Sequence, residues 1–496
     1  MPPAADAIPN WSRLWAVVLA AAFLSFFFAN EADNDLWGHV LFGGDMLSQH
    51  ALPRTDTYSY TATGAPWVNH EWLAQVLFAL AYRVGGASGL LLLKVALAAA
   101  TCGAGWALIR RRTAAPWVWG PAGVLLMAVL SRGFAIRPQI FTYAATACTL
   151  WILDDPAHRG RRLWVVPALL AVWVNVHGGF IVGLALLGGV ALWTTVTRQR
   201  GARRLWVALA AALPCTALNP YGAELPVYVW RELSRAHPIT EWQPVAVGDP
   251  SQWAFVALLL LFLLTLPWLQ RWRADGWLGV VALGAAGLAL RHQRHTPLFA
   301  VCVAAPLAAH LDAVARGAVA QPLGALSRAA QRLLGAGLVG LVAVQLWIAG
   351  ARWYRDGLAL VFAPRDYPVG AVHALADAAQ PLHLALPLEW GEYALWFLAP
   401  RVKVSLDGRF ATVYPESVVQ DNFDFFAGAP GWRRLLEHYP TDAVLLPTAW
   451  PNPIRHLADW QRVCGDDVAE VWVRTDRAAR LRPLAAPAAG APATFP

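Results

Sequence analysis

The stretch LWAVVLAAAFLSFFFANEADNDLWGH, residues 14–39, decides the reading of this chain. Its first part, Leu14 to Phe28, is an almost wholly apolar run. Its second part sets Glu31, Asp33 and Asp35 within five positions. A run of this kind is read as crossing a bilayer, whose hydrocarbon core of ~30 Å takes about 20 residues at ~1.5 Å each. Arg13 ahead of the run also suits a signal peptide. No small-residue cleavage pattern follows, so the first transmembrane helix is the reading adopted.

Working outward, apolar blocks recur near 14–29, 87–109, 116–131, 138–153, 163–177, 179–196, 205–218, 253–269, 276–290, 297–314 and 333–351. They predict about eleven spans. Composition agrees: 57% of residues are hydrophobic and 14% charged, against about 25% charged in soluble domains. The net charge of +8 raises the question of nucleic acid. However, the arginines cluster in short loops between apolar blocks, as the positive-inside rule expects, so no nucleic-acid partner is expected. Cys102, Cys148, Cys215 and Cys302 lie in or beside apolar segments and Cys464 stands alone in the tail, so no disulfide framework is implied.

Sorting the connections by charge gives a topology. Arg110–Arg112, Arg159–Arg162, Arg198–Arg204, Arg271–Arg273 and Arg316–Arg332 fall at alternate connections and are expected in the cytoplasm. The segments 30–86, 132–137, around 178, 219–252, 291–296 and everything after about 352 are then expected on the outer face, with the N-terminus cytoplasmic. Leu36–Leu47 and Trp72–Tyr82 read as two amphipathic surface helices in the first outer loop. In the tail, short apolar runs at 382–388, 402–406, 443–446 and 468–473 alternate with helical stretches. That alternation argues a small α/β domain with a largely parallel sheet. The Ala- and Pro-rich stretch after Arg482 is expected to be disordered. The expected domains are a transmembrane part, 1–352, with a large outer loop at 31–86, an α/β part at 353–480, and a tail at 481–496.

Several constellations carry chemistry. Asp33 and Asp35, with Glu31 and His39 beside them, are the candidate catalytic and cation-binding group. One carboxylate would act as general base, and the bland alternative is a solvated helix end. His70 and Glu71 close the first outer loop. Arg137 and Gln139 open the fourth span, and Asn175 and His177 end the fifth. Arg291, His292, Arg294 and His295 form a basic knot on the side where few cations are expected, which asks for an anionic partner such as a lipid-linked phosphate. Glu241 adds an outer carboxylate and, with Asp33 and Asp35, a candidate metal ligand. For each of these the plain alternative is a headgroup contact or a helix-end hydrogen bond. No Walker loop, GxSxG elbow, HExxH or CxxC is present, which leaves the common nucleotide, serine-hydrolase and zinc chemistries without support.

This pattern resembles the GT-C superfamily of membrane glycosyltransferases, whose members share an acidic motif in the first outer loop, two surface helices there, ten or so spans and often a soluble C-terminal domain. Asp33 and Asp35 match the acidic pair. A further likeness to the oligosaccharyltransferase catalytic subunit rests on Glu389-Trp390-Gly391-Glu392-Tyr393 and Asp407-Gly408-Arg409, although the Trp-Asp-Tyr-Gly core of that subunit is absent. The resemblance implies a polytopic α-helical membrane enzyme of GT-C type with a small C-terminal α/β domain. It implies an inverting transfer of sugar from a polyprenyl-phosphate or polyprenyl-pyrophosphate donor to an envelope acceptor (glycan, lipid or protein), in a bacterial-type inner or plasma membrane. Asp33 or Asp35 would handle the acceptor, with a divalent cation (Mg²⁺ or Mn²⁺) in some relatives, and Glu389, Asp407 and Arg409 would be acceptor-side or interdomain contacts. On the charge argument, Arg137, Arg291 and Arg294 would face the donor phosphate. A transporter or lipid flippase, or a noncatalytic envelope assembly protein, are the competing classes. The absence of an internal repeat and the gathering of polar residues on one face favour the enzyme.

Overall fold

A computed structural model describes residues 10–154, 160–232, 240–268, 272–318, 327–376, 381–478 and 494–496. The chain divides into two compact units: Met1–Ala29 with Leu91–Leu358, and Asn30–Leu90 with Ala359–Pro496.

The first unit is helical. Each of the eleven apolar blocks coincides with a helix, among them Trp11–Phe27, Pro116–Ser131, Gln139–Leu153, Phe180–Val196, Trp272–Arg291, Thr296–Ala318 and Arg328–Asp356. Among the described residues, four helices are long and apolar enough to cross a membrane: Trp72–Arg112, Pro250–Trp268, Gln293–Arg316 and Arg328–Asp356. Thr296–Ala318 is the buried centre, packed on Trp272–Arg291, Pro116–Ser131, Gln139–Leu153 and Trp253–Thr265. Around it the outward surface is apolar: Leu333, Val339, Val344 and Trp347 on one helix, and Val196, Leu260 and Leu264 on others, are all exposed. Such a surface is costly in water and suited to hydrocarbon.

Polar groups of this unit gather at its ends. At one end Arg112 pairs with Asp154 and, at 2.8 Å, with Asp275, while Arg111 lies 3.6 Å from Asp154. Thr113 donates to Asp312 there at 2.7 Å. A second polar group joins the connections at 132–137, 240–252 and 291–295, through Arg137 and Glu241, Arg132 and Ser251, and Gln293 and Gln252.

The second unit is built on a five-stranded sheet in the order β2-β1-β3-β5-β4, where β1 is Leu382–Ala385, β2 Val402–Val404, β3 Ala443–Pro447, β4 Trp460–Gly465 and β5 Ala469–Arg474. β1 pairs in parallel with β2 and β3, whereas β3–β5 and β5–β4 are antiparallel. The largely parallel sheet expected from the sequence is therefore corrected to a mixed one. The cause is a hairpin: Asp466 caps the turn by accepting from the N–H groups of Val468 and Ala469, both at 2.8 Å, and folds β5 back on β4. β3 is fully buried, and Val444 and Leu446 join Ala385, Phe425, Phe426, Leu435, Ile454 and Trp460 in one core.

The 30–90 segment belongs to this unit. Tyr60 N–H donates to Val404 O and Val404 N–H to Tyr58 O, each at 3.1 Å, so this segment covers the free edge of β2. Helix Leu36–Gln49 forms where an amphipathic surface helix was expected. The second expected helix runs on into a span as Trp72–Arg112, broken at Gly86, whose φ of 58° and ψ of −147° glycine alone adopts at little cost. Most of the tail expected to be disordered, residues 481–493, lies outside the described residues. Its last three residues do not follow that expectation: Phe495 is buried against Trp37, Tyr82 and Trp396, and its N–H donates to Leu360 O at 2.8 Å.

Candidate functional site

The acidic stretch is held in place along its length. Asn30 Nδ2 donates to Ala359 O at 2.8 Å, Ala32 N–H to Val361 O at 2.7 Å, and Tyr367 OH to Asn34 Oδ1 at 2.6 Å. Asp33 Oδ1 accepts from Asp35 N–H at 3.1 Å. Asp35 is the residue before helix Leu36–Gln49, where free N–H groups and the helix dipole favour a carboxylate. Trp37, the second residue of that helix, is sealed among Phe362, Tyr367, Tyr393 and Phe495, which fixes the helix start.

Facing this helix start is Glu392, 4% exposed, in the first turn of helix Gly391–Leu398. Its Oε2 accepts from Gly38 N–H at 3.1 Å. Two glycines make the space: a Cβ at Gly38 would overlap the Glu392 carboxyl, and one at Gly408 would lie 2.6 Å from Glu392 Oε1 and 2.8 Å from Asp35 Oδ1. Oxygens of Asp35 and Glu392 thus converge on one point at the end of the β2 connection. Burial first, then the charges of Asp35 and Asp407, push the Glu392 carboxyl well above the usual carboxylate range, against the pull of Arg409 and the Gly38 N–H. The site therefore favours the protonated form of Glu392.

Beneath this pair lies a buried ionic knot. Arg409, 5% exposed, donates to Asp407 through Nε at 2.8 Å and Nη2 at 2.7 Å, and its Nη1 lies 2.6 Å from Asp56 Oδ1. Tyr414 OH donates to Asp407 Oδ2 at 2.6 Å, and Ser59 closes the Asp56 side through its N–H and hydroxyl. The guanidinium also lies over the rings of Trp67, Tyr58, Phe42 and Tyr414, at 4.8, 5.0, 5.1 and 5.9 Å. Asp407 and Arg409, expected as acceptor-side or interdomain contacts, are shut away from solvent and engaged with each other and with Asp56. What they do is tie the 30–90 segment to the strand end that carries Gly408.

The other expected residues of this unit are spread around that centre. Glu31 pairs through its backbone with Val361 and is exposed. His39 is buried against Phe78. His70 and Glu71 lie 3.5 Å apart at the half-buried turn before helix Trp72–Arg112. Glu389 is on the rim of a cavity of about 380 Å³ that is also lined by Asn422, Phe423, Phe426 and Trp450. Asn422 Oδ1 there is buried without a hydrogen-bond partner.

In the helical unit, a second group of expected residues comes together around Trp242. Arg137 meets Glu241 at 2.5 Å, His292 Nδ1 lies 2.5 Å from Trp242 O, and Arg294 stacks over the Trp242 ring at 4.5 Å. His295 is 6.1 Å from His292, ring to ring. Arg291 ends its helix, exposed, just before this knot, and Gln139 begins helix Gln139–Leu153. His177 accepts from Gly179 N–H at 3.0 Å and lies 2.8 Å from Thr142 Oγ1, which puts its remaining proton on Nε2. Asn175 Nδ2 is spent on the carbonyls of Ala171 and Leu218.

Among the described residues, no three His, Cys, Asp or Glu side chains are grouped to hold a metal ion. Asp33 and Asp35 are oxygen donors of the type that Mg²⁺ takes. Sequence reasoning missed Glu392, Gly38, Asp56 and Tyr414 as parts of the site. Glu392 stood inside the quoted 389–393 motif and Gly38 inside the quoted 14–39 stretch, and those were the available signals.

No protein-family model matches the chain, and no curated protein matches it. Solved structures do. The apo oligosaccharyltransferase of Archaeoglobus fulgidus aligns with a TM-score of 0.59 at 11% identity, covering 88% of this chain and 69% of that one. AglB from Archaeoglobus fulgidus, in complex with an inhibitory peptide and a dolichol-phosphate, gives 0.56 at 12% identity with the same coverage. ArnT from Cupriavidus metallidurans in the apo state gives 0.53 at 15% identity, covering 96% of this chain and 99% of that one. The chain has the fold of these oligosaccharyltransferase and ArnT structures.

Proposed function

We propose that this chain is a membrane glycosyltransferase that moves a sugar from a polyprenyl-phosphate or polyprenyl-pyrophosphate donor to an envelope acceptor on the outer face. The observation that carries this reading is the convergence of Asp35 and Glu392 beside Gly38 and Gly408, in a chain with the GT-C fold. In the proposed reaction Asp35 accepts the proton of the acceptor nucleophile. The acceptor oxygen or nitrogen bonds to the anomeric carbon with inversion as the bond to the phosphate oxygen breaks, and the phosphate leaves with the electron pair. Asp33 steadies the Asp35 turn through the N–H it accepts. Arg291 and Arg294, with His292 and His295, are the candidates for the departing phosphate, whose growing negative charge fixed cations stabilise. Arg137 already carries Glu241 as a counter-charge and is released only if Glu241 turns to the acceptor. The Glu389–Trp450 cavity is the proposed acceptor side. A Mg²⁺ or Mn²⁺ ion held by Asp33 and Asp35 would neutralise donor phosphate charge.

The proposed placement is a bacterial-type inner or plasma membrane. About eleven spans would carry the arginine-rich end inward, with the N-terminus cytoplasmic and the residues after about 352 periplasmic or extracellular. Two observations support it: the Arg111, Arg112 and Arg316 connections share one polar end, and the helices present an apolar outer surface. The archaeal AglB relative was solved with a dolichol-phosphate, a polyprenyl carrier of the proposed type.

The test is transfer of radiolabelled sugar from a polyprenyl-phosphate sugar by purified protein, paired with the glycan profile of cells carrying Asp35→Asn or Asp33→Asn. Loss of a general base costs roughly 10²–10⁴-fold. Normal glycans and full transfer by well-expressed Asp35→Asn protein would sink the reading.

A further inference from the structure

The helical unit contains a cavity of about 450 Å³ that the proposed reaction does not use. Phe23 of helix Trp11–Phe27, Cys102 and Trp106 of Trp72–Arg112, Met127 of Pro116–Ser131 and Val301 of Thr296–Ala318 are among its walls. The lining is apolar apart from Thr101 and Cys102, and Thr101 spends its hydroxyl on Leu97 O at 2.8 Å. A cavity with so few polar partners does not hold ordered water. Gly103 and Gly105 hollow its wall: a Cβ built at either meets no atom within 4 Å. The space accepts hydrocarbon.

One helical turn beyond Trp106 stands a cation. The exposed Arg110 guanidinium lies 5.7 Å from the ring centroids of both Trp106 and Trp119, and it donates to Ala114 O at 3.3 Å. A guanidinium has five donors in a fork that matches phosphate, so capacity remains after that bond. Trp106 is therefore both a wall of the cavity and the platform of the cation. An apolar slot ending at a forked cation is complementary to an amphiphile with one hydrocarbon chain and an anionic head. The arginines assigned above to the donor phosphate, Arg291 and Arg294, are not at this end. Arg110 belongs with Arg111 and Arg112, which face Asp154 and Asp275.

We propose that this cavity is a binding site for one acyl chain of an anionic glycerophospholipid, whose phosphate pairs with Arg110. It does not depend on the transferase reading, because it is read by binding alone.

The test uses the full chain in nanodiscs of equal phosphatidylglycerol and phosphatidylcholine, extracted into detergent and examined by native mass spectrometry. Phosphatidylglycerol should be retained over phosphatidylcholine by roughly fivefold, the worth of one interfacial cation. Arg110→Gln should keep lipid binding and lose that preference. Gly105→Phe, which fills the open space, should cut retained lipid several-fold. Gly103→Leu, in the same wall, serves if the first variant fails to fold. Equal retention of the two lipids by the unaltered protein would overturn the proposal. So would undiminished retention in the filled variants, or displacement of phosphatidylglycerol by added polyprenyl phosphate at lower concentration than by phospholipid.

Discussion

Replacing Arg409 by Leu should unfasten the 30–90 segment from the strand end of its unit. Arg409 is buried, and so are the two carboxylates it serves: its side chain is 3% exposed, and those of Asp56 and Asp407 are 0%. Leucine would retain some packing against Phe42, Trp67 and Tyr58 but leave two sealed negative charges facing a cavity with no counter-ion. Removing one partner of a buried pair costs about 3–5 kcal/mol, most of it the penalty on the charge left behind. Loss of the stacked cation adds roughly 1–2 kcal/mol. The sum exceeds what a local contact can absorb, so the segment opens before the unit unfolds. Hydrogen–deuterium exchange reads this directly, because a local opening eased by about 4–7 kcal/mol lowers protection by roughly three to five decades. The peptides to follow carry the N–H groups of Tyr60 and Val404, which pair across the two segments. Asp56→Asn, which removes one carboxylate while keeping a hydrogen-bonding side chain, should cost less than Arg409→Leu. Protection within tenfold of the unaltered protein at both peptides in Arg409→Leu would refute the idea that the ionic knot fastens the segment.

Three further expectations follow from the same geometry. Because burial raises the Glu392 carboxyl, the native state holds a proton there that the unfolded chain releases near the ordinary pKa. The contribution of Glu392 to stability should then decline as pH rises above the ordinary carboxylate range, and Glu392→Gln should flatten that part of the fall in melting temperature. A melting curve whose pH slope is the same in Glu392→Gln would contradict this. Gly408→Ala drives a methyl between Glu392 and Asp35, so sugar transfer should fall at least tenfold, with a stability loss of about 1–3 kcal/mol; unchanged transfer would show that the two carboxyl groups need not stay close. Chelation by EDTA should abolish transfer, and added Mg²⁺ or Mn²⁺ restore it, if Asp33 and Asp35 hold a cation; transfer indifferent to EDTA would leave those carboxylates to act alone.

The sequence by itself determined where the helices lie, because an apolar block of membrane length has few other stable conformations and its flanking arginines mark its ends. It also singled out Asp33 and Asp35, since carboxylates packed against an apolar run are conspicuous locally. The start of helix Leu36–Gln49 was legible for the same reason. What it did not display was juxtaposition. Gly38 and Glu392 are 354 positions apart, and only packing brings the N–H of one to the carboxyl of the other. Asp56 and Arg409 are likewise distant in the chain and meet only in the fold, and the glycines at 38 and 408 matter because side chains occupy the space they leave. β4 escaped notice because its pattern is half exposed and weakly periodic, and its identity comes from pairing with β5. Local composition follows from residues a turn or a strand apart, whereas a site assembled from distant segments exists only after the chain has closed on itself, and the tertiary structure alone decides which residues share it.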